Sequence, residues 1–305
     1  MDYYEFCRKN IVALEVTRHN SFAPTDIERC NRELGYRGFV NCVAAQGENS
    51  FVMFTNADDV VAGHYMYAGP ASFETGTLKL WTYLARQSTW IYDVGAFTGV
   101  FALAAVAANP DCRVMAFEPS LVTYSRLLVN IGGNEFNSHI SPVRFGLGSD
   151  LMELELRHPA GVYVMGSGES FLESYISDPW FTEKVPVVSL DHLLSNQEQY
   201  RKEIVLDGNF DGADLIKIDV EGFEISVIEG MRDTISKHKP TVIIEILQRD
   251  EINDIMNLFG HGYQIKHVAE CSGELTDFLE GRNYLIVHEE KAGLLTGYEE
   301  SIIQN

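Results

Sequence analysis

From Thr89 to His288 the chain alternates short apolar stretches with amphipathic ones, and no other feature constrains its fold as tightly. Strands buried on both faces and joined by helices build a parallel sheet. Stop signals delimit the elements. Residues 90–94 read as the first strand, 95–99 as a turn, and a helix runs to about Ala108, where Asn109-Pro110 ends it. Residues 113–117 form the second strand, and Ser120 caps a helix that ends at Gly132-Gly133. Further strands are expected at 142–145, 214–219, 241–246, 263–268 and 283–288. One helix with Phe223, Val227, Ile228, Met231 and Ile235 on a single face stops before Pro240, and another, capped by Asp250, ends at Gly260. The expected architecture is α/β: a Rossmann-like, doubly wound, mostly parallel sheet of seven strands.

Residues 1–85 lack this rhythm and read as an N-terminal extension. It contains a β-hairpin, 39–45 against 51–55, joined through Gly47-Glu48-Asn49. Its aromatics (Tyr65, Tyr67, Phe73, Trp81, Tyr83) either shape a pocket or pack, and packing is the default. Phe73-Glu74 belongs to a stretch that approaches the core as a cover. The core spans 86–290, interrupted by an insert at 151–185, and an acidic tail follows at 291–305. Alternation from Leu151 to Leu156 suggests a hairpin within 151–165, and Tyr163, Tyr175, Trp180 and Phe181 make the insert a second candidate lid.

The turn after the first strand reads Asp93-Val94-Gly95-Ala96-Phe97-Thr98-Gly99. Open α/β sheets bind ligands at the carboxyl ends of their strands, where the strand order reverses. Gly95 admits close backbone approach, and Gly99 opens a helix whose free N–H groups favour an anion. Glu118, followed by Pro119, ends the second strand, where an acid can accept both hydroxyls of an adenosine ribose. A dinucleotide fingerprint needs a second glycine where Phe97 stands, so a pyrophosphate would be crowded. A ligand without phosphates fits better, and S-adenosylmethionine is one. Asp93 then meets its amino group, and Asp150 is a candidate for its adenine amino group. The competing reading is a plain glycine turn.

The turn resembles the first motif of class I S-adenosylmethionine-dependent methyltransferases. Downstream, Asp214-Leu215-Ile216-Lys217-Ile218-Asp219-Val220-Glu221-Gly222-Phe223-Glu224 resembles the DLIKIDVEGxE signature of the FkbM family of methyltransferases. The likeness continues through Gly230, Lys239-Pro240 and Ile244-Glu245, and upstream through Ala116 to Pro119, Leu127 to Asn130 with Asn134, and Ser189-Leu190-Asp191. It runs from residue 89 to about 288. Phe97 departs from the pattern, since the family often has asparagine there. The resemblance implies an O-methyltransferase acting on a small molecule or sugar.

Methyl transfer needs the acceptor held about 3 Å from the methyl carbon and a route for its proton. Strand alternation places Leu215, Lys217 and Asp219 on one face. Asp219, with Glu221 as second choice, orients or deprotonates a hydroxyl, and Lys217 either lines the same site or neutralises Asp219 or Glu245. Glu245 faces either substrate or Lys217, and Glu224 favours a helix start.

Other signals are weaker. The tract from Asp207 to Gly212 begins like a calcium loop but has Ile218 at the twelfth position, and no histidine spacing suits zinc, so no metal is expected. His192 reads as a surface histidine. Lys and Arg number 23 against 44 Asp and Glu, a net charge of −21 that argues against nucleic acid and membrane surfaces as partners. Five scattered cysteines without a CxxC pair, an N-terminus with no apolar leader and no apolar run longer than 100–108 point to a cytoplasmic protein. The alternatives are an NAD-dependent oxidoreductase and a catalytically silent binding protein, and the oligomeric state is left open.

Overall fold

The apolar strands after Thr89, most of them buried on both faces, assemble into a sheet of eight strands. The computed structural model describes residues 2–19, 22–23, 26–160, 165, 168–204, 210, 212–278 and 280–303. Tyr163 and the tract members Asp207, Asn209 and Asp211 lie outside the described residues.

Two helices, α1 (Tyr3–His19) and α2 (Ile27–Glu33), precede an antiparallel hairpin of β1 (Arg37–Val43) and β2 (Ser50–Asn56). Helices α3 (Val60–Tyr67) and α4 (Thr75–Ala85) lead into the sheet. Its parallel part comprises β3 (Trp90–Val94), β4 (Arg113–Phe117) and β5 (Ile140–Val143), linked by α5 (Val100–Ala108) and α6 (Leu121–Gly133). Ser120 caps α6, its Oγ accepting the Thr123 N–H at 3.4 Å.

The chain then leaves the sheet for β6 (Gly146–Leu147), β7 (Met152–His158) and β8 (Phe181–Val188), a separate three-stranded sheet. The alternating run at 152–158 therefore pairs with β8 rather than within 151–165, because the long antiparallel register from Met152–Val187 to His158–Phe181 outcompetes a local turn. Helix α7 (Leu190–Ser195) returns the chain to β9 (Leu215–Ile218).

The single helix expected after β9 is two, α8 (Glu224–Glu229) and α9 (Arg232–His238), broken at Gly230. A Cβ on Gly230 would stand 1.9 Å from the Gly148 carbonyl oxygen, so a close backbone crossing sets the break. Next come β10 (Thr241–Glu245), α10 (Ile252–Phe259), β11 (Tyr263–Val268), β12 (Leu275–Thr276), β13 (Asn283–His288) and α11 (Ala292–Ile303). Asp250 sits in a 3-10 turn before α10 and does not cap it.

The strand order is β12-β11-β13-β10-β9-β3-β4-β5. It is mixed: β5 to β10 run parallel, whereas β13 is antiparallel to β10 and β11 to β13. The eighth strand, β12, is a two-residue edge not expected from the sequence. Alternate residues of each strand feed two cores. Ile91, Val114 and Leu215 pack under α4 and α5, and Tyr92, Met115 and Ile216 pack under α8 and α10. Among the described residues no helix is long and apolar enough to cross a membrane.

Candidate active site

Chain order runs outward from β3 to β5 and then resumes on the other side at β9, so the strand order reverses between β3 and β9. At the carboxyl ends of these two strands lies a cavity of about 340 Å³. Four of the sequence-picked stretches reach its wall: the turn residues Gly95, Ala96 and Phe97, then Glu118 with Pro119, then Asp219 with Glu221, then Glu245.

The turn owes its shape to neighbours as well as to any ligand. Gly95 has φ 81°, and a Cβ there would meet the Asp219 carbonyl oxygen at 1.8 Å. Glycine is thus required by the crossing of β9's exit over the turn. Gly99, φ 103°, clears the Leu127 side chain and is the first residue before α5. Phe97 takes a left-handed backbone, φ 51°, and turns its N–H to Glu118 Oε2 at 2.8 Å, while Ser120 N–H donates to Oε1 at 2.9 Å. Burial, reinforced by the neighbouring Glu169 charge, pushes Glu118 up to about 8. Around it Phe117, Pro119, Phe145, Leu147 and Phe171 form an apolar shelf.

Five of the sequence-predicted positions lie off the wall: Lys217, Asp93, Thr98, Asp150 and Gly99. Asp93 is buried behind the turn, its Oδ2 accepting the Ala102 N–H of α5 at 3.0 Å. Burial pushes Asp93 up to about 7, with Lys217 acting the other way. Thr98 is buried, and its carbonyl accepts the Asn130 side-chain amide at 2.7 Å. Asp150 is exposed on the bend after β6 and bonds the Leu151 N–H at 2.7 Å. Gly99 likewise lies behind the wall, against Leu127.

The far end of the cavity is acidic. Lys217 has no exposed surface; its Nζ stands 3.0 Å from Asp219 Oδ2 and 4.9 Å above the centre of the Phe101 ring. Burial alone would lower the Lys217 ammonium, but Asp219, Glu74 and Glu245 together hold it above its ordinary value. Burial would likewise raise Asp219, yet the Lys217 charge keeps it below the usual carboxylate range. Glu221, at a left-handed φ of 49°, is pushed up to about 7 by burial and then by Asp219. Glu245 rises to about 9, again through burial and Asp219, and approaches Arg282 at 3.8 Å. Glu224 bonds the Gly222 N–H at 3.0 Å, in keeping with a helix-start role. Carboxylate oxygens of Asp219, Glu221 and Glu245 lie within 4.8 Å of one another, a spacing open to a cation, but the Lys217 ammonium already neutralises one of the three.

The sequence marks the Phe73-Glu74 stretch as a cover and the insert as a candidate lid, but Val60, His64, Glu169 and Phe171 are wall residues it does not name. The N-terminal region contributes Val60, His64, Phe73 and Glu74, and the insert contributes Glu169 and Phe171. Of the extension's other aromatics, Tyr65, Tyr67 and Trp81 are core, and Tyr83 packs on Tyr298 at 5.2 Å between ring centres. In the insert, Phe181 stacks on His158 at 3.9 Å and Trp180 is exposed, so neither is on the wall. The placement of Glu74 depends on Glu270, 196 residues later, and no local pattern in the sequence reports that contact.

Comparisons with known proteins follow the same residues. A family model described as the methyltransferase FkbM domain matches residues 93–285. The chain is 28% identical over 172 residues to methyltransferase sdnD of Sordaria araneosa, covering 52% of this chain and 66% of that one. It is 24% identical over 209 residues to the hexuronic acid methyltransferase AglP of Haloferax volcanii, covering 68% and 77%. Among solved structures, a methyltransferase FkbM from Methylobacillus flagellatus KT aligns with a TM-score of 0.43 at 16% identity, over 93% of this chain and 60% of that one.

Proposed function

The chain belongs to the FkbM family of methyltransferases, and from that premise we propose that it transfers a methyl group from S-adenosylmethionine to a hydroxyl oxygen of a small molecule or sugar. One observation carries the reading: at the β3–β9 reversal a single cavity joins an apolar shelf, with a buried acid at the end of β4, to a carboxylate-rich end beside Asp219. The shelf of Phe117, Phe145 and Phe171 suits a purine, and Glu118, which holds each backbone N–H with one oxygen, keeps further lone pairs for ribose hydroxyls. The Phe97 side chain occupies wall space that a pyrophosphate would need, which favours a ligand without phosphates over NAD.

Bound there, S-adenosylmethionine supplies an electrophilic methyl carbon. The protein's part is to hold the acceptor in line with it and to manage one proton. Asp219 is held ionised by Lys217 and orients the acceptor hydroxyl; Lys217, being off the wall, is a positioning residue that acts through Asp219. Glu221 flanks the same spot and is the candidate to take up the proton, its affinity raised to about 7 by burial, while Glu245, raised to about 9, already carries its own proton at neutral pH and shares it with Asp219. No metal is invoked. The net charge of −21 favours a neutral or cationic acceptor over nucleic acid or anionic lipid, and the five free thiols suit a cytoplasmic setting.

Calorimetric titration with S-adenosylhomocysteine, run beside NAD, tests the cofactor. Micromolar binding of the first, abolished by Glu118→Ala, is the expected result. Binding of NAD alone would replace this reading with an oxidoreductase.

A further inference from the structure

Asp93 does not face the cavity, so on the proposed cofactor reading the ammonium group of S-adenosylmethionine needs another partner. We propose that Glu74, from the N-terminal region outside the matched domain, is the carboxylate that binds it.

The argument starts from how α4 begins. Glu74 occupies the position before the helix, where a short polar side chain ordinarily caps the free N–H groups. Here it makes no capping bond, and its backbone sits in the left-handed region at φ 37°. The cap comes instead from Glu270, which receives the Gly76 N–H at 3.2 Å, the Thr77 N–H at 3.3 Å and the Thr77 hydroxyl. The Glu270 backbone carbonyl takes the Gly76 N–H as well, at 2.9 Å. With the helix start satisfied by a distant residue, the Glu74 side chain is released to the cavity wall. Strained left-handed backbone persists where the surroundings enforce it, and this is such a place.

Most other carboxylates on the wall already have partners, Glu169 among them, with His158 Nδ1 at 3.7 Å from its Oε1. Both oxygens of Glu118 receive backbone N–H groups, Asp219 holds Lys217, and Glu245 sits by Arg282 at the rim. The Glu221 backbone is tied to the insert, its carbonyl accepting the Ser170 hydroxyl at 2.8 Å, and on the proposed reading its carboxylate serves the acceptor. Glu74 has one long contact, from the Asn283 amide to Oε2 at 3.4 Å, and lies close enough to Lys217 and Asp219 to feel their charges. It therefore lines the same cavity as Glu118, within reach of the Lys217 and Asp219 charges at the end of β9, where the far end of a ligand whose adenosine lies on the apolar shelf would come. A carboxylate mostly removed from water gains most from a cationic partner.

The test is calorimetric and needs no acceptor. S-adenosylhomocysteine is compared with its deamino analogue, 5′-S-(3-carboxypropyl)-5′-thioadenosine, on wild-type protein, Glu74→Gln and Glu74→Asp. Wild type should prefer the amine-bearing ligand by roughly 10-fold or more, the range of a charge-assisted hydrogen bond. Glu74→Gln should reduce that preference to about threefold or less while the deamino analogue binds as before, and Glu74→Asp should retain part of it. Undiminished preference in Glu74→Gln, or equal loss of both ligands, overturns the assignment of Glu74. Failure of both ligands to bind wild type would instead remove the cofactor reading on which this inference rests.

Discussion

Lys217 Nζ lies 3.0 Å from Asp219 Oδ2, and the ammonium is wholly shut off from water while the carboxylate keeps a quarter of its surface. The buried charge is thus anchored by the residue that faces the cavity, which makes Asp219 an acid that stays ionised amid raised ones. Lys217→Met should release it. Asp219 then titrates at least about one unit higher, because the opposite charge that favoured its ionised form is gone. Carbon-13 NMR of the aspartate carboxyls, read by difference against Asp219→Asn, measures the shift. An unmoved Asp219 would mean that Lys217 does not set its charge.

Asp219→Asn keeps the shape of the site and removes the charge. Affinity for S-adenosylhomocysteine should stay within about threefold, and turnover with an acceptor found by screening should drop on the order of 10²-fold, the scale of losing the group that orients the reacting hydroxyl. Unchanged turnover would leave Asp219 a partner of Lys217 and nothing more.

The sheet was legible because burial on both faces imposes a plain code. All seven expected strands exist, and the glycine turn and Glu118 fall at one cavity. What was not legible depends on contacts far apart in sequence. Asp93 looks like a ligand-facing residue by position, yet α5 folds back and takes its carboxylate through the Ala102 N–H. Gly230 splits an apparently continuous amphipathic helix because Gly148 crosses it. The sequence marks the Phe73-Glu74 stretch as a cover, but the Glu270 cap that leaves the Glu74 side chain to the cavity lies far along the chain in a contact no local pattern reports.

Gly95 and Gly99 share a left-handed backbone but not their surroundings. Alanine at 95 meets the Asp219 carbonyl at 1.8 Å, a rigid backbone contact, whereas at 99 it meets Leu127 Cδ1 at 2.5 Å, the end of a side chain able to rotate. Gly95→Ala should therefore fail to fold or lose more than about 3 kcal/mol, and Gly99→Ala about 1–2 kcal/mol, the usual range for backbone strain alone. Urea unfolding of the two variants measures the difference. Equal losses would mean that the β9 exit yields.

The three carboxylates at Asp219, Glu221 and Glu245 invite a metal, but Lys217 already supplies the positive charge there. Dialysis against EDTA should leave both turnover and S-adenosylhomocysteine affinity unchanged. A loss reversed by magnesium would make the cluster a cation site and Lys217 a structural neighbour.

Stability should fall with rising pH across the neutral range. Asp93 is raised to about 7 and Glu118 to about 8, in each case chiefly by burial, against unfolded values near 4. Between those limits the folded chain binds more protons than the unfolded one, so each group stabilises fully below its unfolded pKa and loses that contribution as pH rises through its folded one. Asp219, lowered by Lys217, works in the opposite sense at acid pH, and His64, lowered by burial, does so within the window, where the two raised acids outnumber it. The melting temperature of the ligand-free protein should therefore decline between about pH 5 and pH 8, and Glu118→Gln, which is neutral throughout, should flatten the decline. A melting temperature that rises over that interval would show that Glu118 and Asp93 are ionised in the folded state, and Glu118 would then meet ribose hydroxyls as a carboxylate rather than as an acid.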